Sequence, residues 1–152
     1  MKRRAFVARS VALALAGPLS GMQFGLACAE DDPGNGWRQV IARLTGGRTP
    51  QPGRVHLELP RIADNGNAVA LAVSVDGPER ATRLHLVSDL NPYAHMATFR
   101  FGAGSRRAAV ATRVKLAGTQ RVFAIAELAD GSVWSDVREV AVAFSACFEG
   151  PA

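Results

Sequence analysis

The sequence predicts an all-β domain, an immunoglobulin-like antiparallel β-sandwich with a short N-terminal helix. Apolar side chains alternate with polar ones through about seven short runs, the period of half-buried strands. Turn residues interrupt those runs every eight to twelve positions, roughly the spacing of a sandwich. The Cys-Trp-Cys core of antibody domains is absent, so the expectation concerns architecture alone.

Residues 1–29 read as an export signal. Lys2, Arg3 and Arg4 give a basic start, Val11 to Ala16 an apolar stretch, and Ala27-Cys28-Ala29 a small-x-small cleavage site. The run Lys2-Arg3-Arg4-Ala5-Phe6-Val7 has the form of a twin-arginine leader, a route that carries proteins already folded. Gly17, Pro18, Gly21 and Gly25 break the apolar stretch, which is short for a membrane anchor. Cys28 as a lipid-attachment site is the alternative, with Gly25 a poor residue three positions before it. The expected location is the periplasm, with no membrane association in the mature form. The leader holds four of the 18 Lys and Arg residues and none of the 13 Asp and Glu, so its removal lowers the formal charge from +5 to +1. Nucleic-acid binding thereby loses its compositional support.

Roughly 120 residues remain, enough for one domain with one modest core. Residues 30–52 carry the helix and a linker: Trp37, Val40, Ile41 and Leu44 fall on one helical face, with Asn35 a plausible N-cap and Gly46-Gly47 and Pro50 a stop. Residues 53–144 carry the strands. Val55, Leu57 and Leu59 alternate with His56 and Glu58 up to Pro60. The segment Ala63-Asp64-Asn65-Gly66-Asn67 predicts a tight reversal into the strand of Val69, Leu71, Val73 and Val75. Further strands are expected over 82–87, 96–101, 107–114 and 121–128, then a short piece at Val133-Trp134 and a separate run over 137–144. Residues 145–152 form a flexible C-terminal tail bearing Cys147.

With Cys28 in the leader, Cys147 has no partner inside the mature chain. An unpaired thiol in an oxidising compartment invites oxidation or pairing with another molecule, which marks Cys147 as a candidate for covalent chemistry. Activation is not visible locally: no histidine lies near it in sequence, and Glu149 disfavours the thiolate. His56, His85 and His95 form no close pair with another His or Cys in sequence, so no metal site is expected. Gly102-Ala103-Gly104-Ser105 joins two strands and reads as a turn, not a phosphate loop. Arg106, Arg107 and Arg113 offer charge to an anion or an acidic partner, or form a solvated strand face. No Ser-His-Asp set or carboxylate pair has local support. Asn91-Pro92-Tyr93-Ala94-His95-Met96 reads as a loop that packs on a partner or folds under the tail, or as a plain turn.

Several strings together resemble the SoxY family of sulfur carriers. They are the stretch from Gly53 through Val55-His56-Leu57-Glu58-Leu59-Pro60 to Asn65-Gly66, Val73-Ser74-Val75-Asp76, Asn91-Pro92, the run Thr112-Arg113-Val114-Lys115-Leu116-Ala117-Gly118-Thr119-Gln120, and Ala126-Glu127-Leu128-Ala129-Asp130-Gly131-Ser132. The resemblance extends from about Trp37 to Cys147. It implies a sandwich that pairs with a SoxZ-like β-sandwich subunit as a heterodimer. It also implies that a cysteine near the C-terminus, here Cys147, holds thiosulfate-derived sulfur covalently. The implied partners are periplasmic sulfur-oxidising enzymes, a c-type haem protein that loads the thiol and a hydrolase that releases sulfate. The chain itself would be a carrier and not an enzyme, with no cofactor besides the sulfur adduct.

The tail departs from the Gly-Gly-Cys-Gly-Gly arm of the family. Ser145-Ala146 precede Cys147, and Phe148-Glu149-Gly150-Pro151-Ala152 follow it. Glycine gives an arm backbone freedom and leaves nothing to catch in a narrow channel, whereas Phe148 is bulky and Pro151 stiff. The connection Asp76-Gly77-Pro78-Glu79-Arg80-Ala81 is also shorter than is usual in the family. An alternative therefore stands beside the carrier: a SoxY-like interaction module that pairs with a SoxZ-like partner but has lost or changed the carrier role. A relic thiol, or a disulfide from Cys147 to another molecule, stays open as well.

Overall fold

A computed structural model describes residues 36–105 and 107–148. The export signal, the Asn35 cap, Arg106 and residues 149–152 lie outside the described residues. Helix α1 spans Gly36–Thr45. Nine strands follow among the described residues: β1 Gln51–Pro52, β2 Val55–Glu58, β3 Ile62–Asn65, β4 Val69–Val75, β5 Ala81–Ser88, β6 His95–Arg100, β7 Ala108–Val114, β8 Gln120–Leu128 and β9 Val133–Phe144.

The expected sandwich is present. One sheet runs β1-β9-β8-β5-β6, with β3 also paired to β9, and the other runs β2-β4-β7. All pairings are antiparallel except those of β1 and β3, which join the outer edge of β9 in parallel. Leu84, Leu86, Val122, Ala124 and Val140 from the larger sheet meet Val55, Leu57, Leu71 and Val73 from the smaller one. These side chains are almost fully removed from water, which is the main favourable contribution to the fold.

The larger sheet is buried on its outer face too, which explains why β5 and β8 read as nearly continuous apolar runs rather than strict alternations. Trp37, Val40, Ile41 and Leu44 of α1 cover Val87, Ile125 and Val133 there. Trp37 stacks on Phe123 with ring centroids 4.6 Å apart. The helix stops as its sequence suggests. Gly46 takes φ +63°, and the amides of Gly47 and Gly46 return to the carbonyls of Ala42 and Arg43, a Schellman ending.

Three local readings change. The Asn65-Gly66 pair does not make a hairpin. Ile62–Asn65 is a strand on β9, and Asn65 Oδ1 accepts the Asn67 amide to start a single 3₁₀ turn. The two segments expected over 133–144 are one twelve-residue strand. Its polar Ser135-Asp136 break is structural: Asp136 Oδ2 accepts the Leu57 amide at 2.9 Å, while Arg138 Nε donates to the Leu57 carbonyl at 3.2 Å. Those two side chains close the sandwich on the β2–β9 side by satisfying backbone groups that no strand reaches. The two-residue β1 carried no periodic signal.

Gly66 is required by space, not by dihedral freedom, since its φ is not positive. A Cβ there would strike the Leu116 carbonyl oxygen and lie 2.8 Å from the Ala146 amide nitrogen. Gly66→Ala is accordingly expected to lower stability by about 1–3 kcal/mol in urea unfolding, because the obstacles are backbone atoms that cannot swing aside.

Candidate functional site around Cys147

Beyond Phe144 the chain leaves the sheet, but it is not loose at once. The Ala146 amide donates to the Leu116 carbonyl at 2.9 Å, and the Leu116 amide donates to the Gly66 carbonyl at 2.8 Å. Ala146 and Leu116 are both buried. Of the segment expected to be a flexible tail, the first part is thus tied down immediately before the thiol. Cys147 itself is exposed, and its thiol is free.

The ledge under Ala146 is held by Asn91. Its Nδ2 donates to the Lys115 carbonyl at 2.9 Å, and its Oδ1 accepts from the Ala117 amide at 2.9 Å and from Gln120 Nε2 at 3.0 Å. The Asn91-Pro92 loop therefore fixes residues 115–120, which fix the tail. Of the readings the sequence left open for this loop, the one that folds it under the tail matches this geometry. Phe148 lines a hollow of about 410 Å³ between the edge strands β6 and β7, with Tyr93, His95, Arg113 and Lys115 also on its wall. Two cationic side chains thus share the hollow with the residue that follows the thiol. Sequence reading offered Arg113 as a charge for an anion or an acidic partner and set Glu149 against the thiolate; Lys115 was missed, and Glu149 lies outside the described residues.

The histidines do not stay apart. His56 makes an exposed contact with Asp76 at 3.0 Å. His85, although 3% exposed, is part of a polar cluster on the outer face of the larger sheet. Its Nε2 lies 3.0 Å from Glu127 Oε1 and its Nδ1 lies 2.8 Å from Thr98 Oγ1. The same Thr98 oxygen is 2.8 Å from His95 Nε2. His85 and Thr98 are opposite one another in the β5–β6 ladder. His95 and Thr98, three apart, would ordinarily face opposite ways on a strand. The register shift between Leu86 and Val87 turns His95 onto the same face. No local sequence pattern carries such a shift, so the cluster could be found only through the pairing. Among the described residues, no group of three or more His, Cys, Asp or Glu side chains is placed to hold a metal ion.

Arg48 Nη2, 2.8 Å from Glu127 Oε2, and Arg83 Nη1, 3.4 Å from Oε1, complete the surroundings of the carboxylate. Burial pushes the Glu127 carboxyl up, but the hydrogen bonds from His85 and Arg48 and the charge of Arg83 outweigh it and hold it below the ordinary value. Unfolding releases the group to its ordinary value near 4.5, so its stabilising contribution is complete above that pH and disappears as pH falls through the lower, folded value. Thermal midpoints measured against pH should therefore drop on the acid side below about 4.5. Glu127→Gln should flatten that part of the curve while lowering stability at pH 7 by about 1–3 kcal/mol.

Comparison with known proteins gives one family, sulfur oxidation protein SoxY, whose sequence pattern matches residues 41–147. No curated protein sequence matches the chain. Among solved structures, the sulfur carrier protein SoxY from Chlorobium limicola f thiosulfatophilum is 25% identical, with TM-score 0.61, and the match covers 68% of this chain and 89% of that one. A superoxide reductase (neelaredoxin) variant from Ignicoccus hospitalis is 18% identical, with TM-score 0.52, over 74% of this chain and 91% of that one. That second likeness shows the fold alone.

Proposed function

The chain belongs to the SoxY family, and from that premise we propose that it is a periplasmic sulfur-carrier subunit that holds thiosulfate-derived sulfur on Cys147. The observation that carries the reading is the placement of Cys147: an exposed, unpaired thiol directly after a residue pinned to the sandwich. Thiol chemistry needs an accessible sulfur, and the pinned Ala146 sets the point from which it is presented. Export by the twin-arginine route and assembly with a SoxZ-like sandwich belong to the same proposal. Leu90, Tyr93 and Phe144 are apolar and exposed beside the tail and its supporting loop, and they offer docking contacts for such partners.

In the loading step the cysteine S–H bond breaks and a bond forms to the outer sulfur of thiosulfate. The step gives a cysteine-bound S–S–sulfonate, one proton and two electrons, which pass to a c-type haem protein. Hydrolysis then adds water across the sulfur–sulfonate bond, releasing sulfate and leaving a persulfide. This chain supplies the nucleophile and the anchorage and catalyses neither step itself.

The bulky Phe148 after the thiol, on the wall of this hollow, favours a second reading, a SoxY-like interaction module that has lost or changed the carrier role. Intact-protein mass spectrometry separates the two. After cells are exposed to thiosulfate and the exported chain is purified without reductant, a carrier shows sulfur- or sulfonate-bearing adducts on Cys147. Those adducts vanish with reductant and are missing from Cys147→Ser. A bare thiol with a partner sandwich still copurifying would sustain the interaction module instead.

A further inference from the structure

The sandwich is closed on one side and open on the other. On the closed side β1 and β3 add to the outer edge of β9, and Asp136 and Arg138 tie β9 to the Leu57 backbone of β2. On the open side β6 ends the larger sheet and β7 ends the smaller one, and the two do not pair with each other. A sheet edge presents unpaired amides and carbonyls that accept a further strand unless something blunts them. β6 is blunted by the register shift in its pairing with β5 and by His95 and Arg100. β7 is not. Its seven residues pair with β4 without a break in register, it has no proline and no inward charge, and only Ala, Val and Thr lie between Arg107 and Arg113. Met96, Phe99, Val110 and Val114 pack on the core but stay partly exposed on these two edges, so a strand added to β7 also finds apolar surface to cover.

The charge around this edge has one sign. The chain has no Asp or Glu from Leu90 to Ala126, a stretch that contains both edge strands and carries Arg100, Arg106, Arg107, Arg113, Lys115 and Arg121. Arg107, Ala109, Ala111 and Arg113 alternate along the exposed face of the smaller sheet. Arg107 and Arg113 are thus about 20 Å apart on one face. Among the described residues neither has an ion-pair partner.

A second copy of this chain is a poor occupant. Antiparallel pairing of β7 with itself keeps the outer faces together when the two-fold axis passes through Val110 or Ala111, since a one-residue slip turns outer side chains inward. The first register sets Arg107 opposite the partner copy's Arg113, and the second sets it opposite the partner copy's Lys115. Symmetry repeats each clash, and like charges directly opposite are destabilising.

We infer that β7 is a strand-addition site for an extended segment of an acidic protein partner. The segment has carboxylates opposite Arg107 and Arg113, small side chains between them on that face, and apolar side chains on the other face, beside Val110. The inference does not rest on sulfur chemistry at Cys147.

Two measurements on the exported chain, expressed alone and held in reductant, test it. In the first, backbone amide NMR at low salt follows titration with the end-blocked peptide Glu-Val-Ser-Val-Ser-Val-Glu, and with the same peptide carrying Lys at both ends. The acidic peptide should shift the β7 amides and bind about tenfold more tightly than the basic one. The double variant Arg107→Glu/Arg113→Glu should reverse that order. In the second, sedimentation should find the wild type monomeric. Arg107→Glu, which sets opposite charges together in both self-pairing registers, should strengthen self-association about tenfold, with β7 amides newly protected from exchange. Equal binding of the two peptides, no shift at β7, or a wild-type dimer paired through β7 would overturn the proposal. So would an Arg107→Glu chain that associates no more than the wild type. Absence of sulfur adducts on Cys147 would sink the carrier reading and leave this site untouched.

Discussion

The arrangement depends on one crossing, where three backbone segments far apart in sequence touch at Gly66. The Gly66 carbonyl holds the Leu116 amide, and the Leu116 carbonyl holds the Ala146 amide. A side chain at position 66 would occupy the space in which the other two strands of backbone approach. The crossing sets where the chain leaves β9, and so from where Cys147 is presented. Asn91 supports the middle member of the crossing from the other side, through the carbonyl of Lys115 and the amide of Ala117. A buried amide left without a partner costs about as much as a lost hydrogen bond, which gives this stack of carbonyls and amides its hold on the tail.

The second organising feature is that the larger sheet has two buried faces with different content. The inner face is apolar and joins the sheets. The outer face is apolar only under α1, where Trp37 meets Phe123, and polar beside it, where Glu127 and His85 sit. The helix ending at Gly46-Gly47 delivers Arg48 to Glu127, so the Schellman stop and the charge cluster are one construction. A carboxylate and an imidazole this deep are tolerated because each finds a partner: Arg48, Arg83 and His85 for Glu127, and Thr98 for His85.

The architecture was legible because alternation survives in β2, β4 and β7, whose outer faces meet water. It blurs in β5 and β8, which are covered on both sides, yet their length and turn boundaries still mark them. The Asn65-Gly66 pair misled because its glycine answers to a close approach of distant backbone, which has no local signature. Ser135-Asp136 looked like a break because Asp136 does its work across the sheets, at Leu57. Cys147 stood out as a lone thiol, and the Asn91 loop as a feature near the tail. The histidine cluster could not be read, since a bulge in β5–β6 pairing brings His95 beside Thr98.

The family and its sulfur carrier structure suggest the chemistry proposed above, and this chain gives the thiol a defined setting: an anchored residue before it and an aromatic one after it. The central claim is that Cys147 is presented from a fixed point rather than from a limp tail. Amide hydrogen exchange, resolved to single residues by NMR, tests this directly. The Ala146 amide should be protected to nearly the extent of the β9 core, with Cys147 exchanging much faster. An Ala146 amide that exchanges as rapidly as a free peptide would contradict the account.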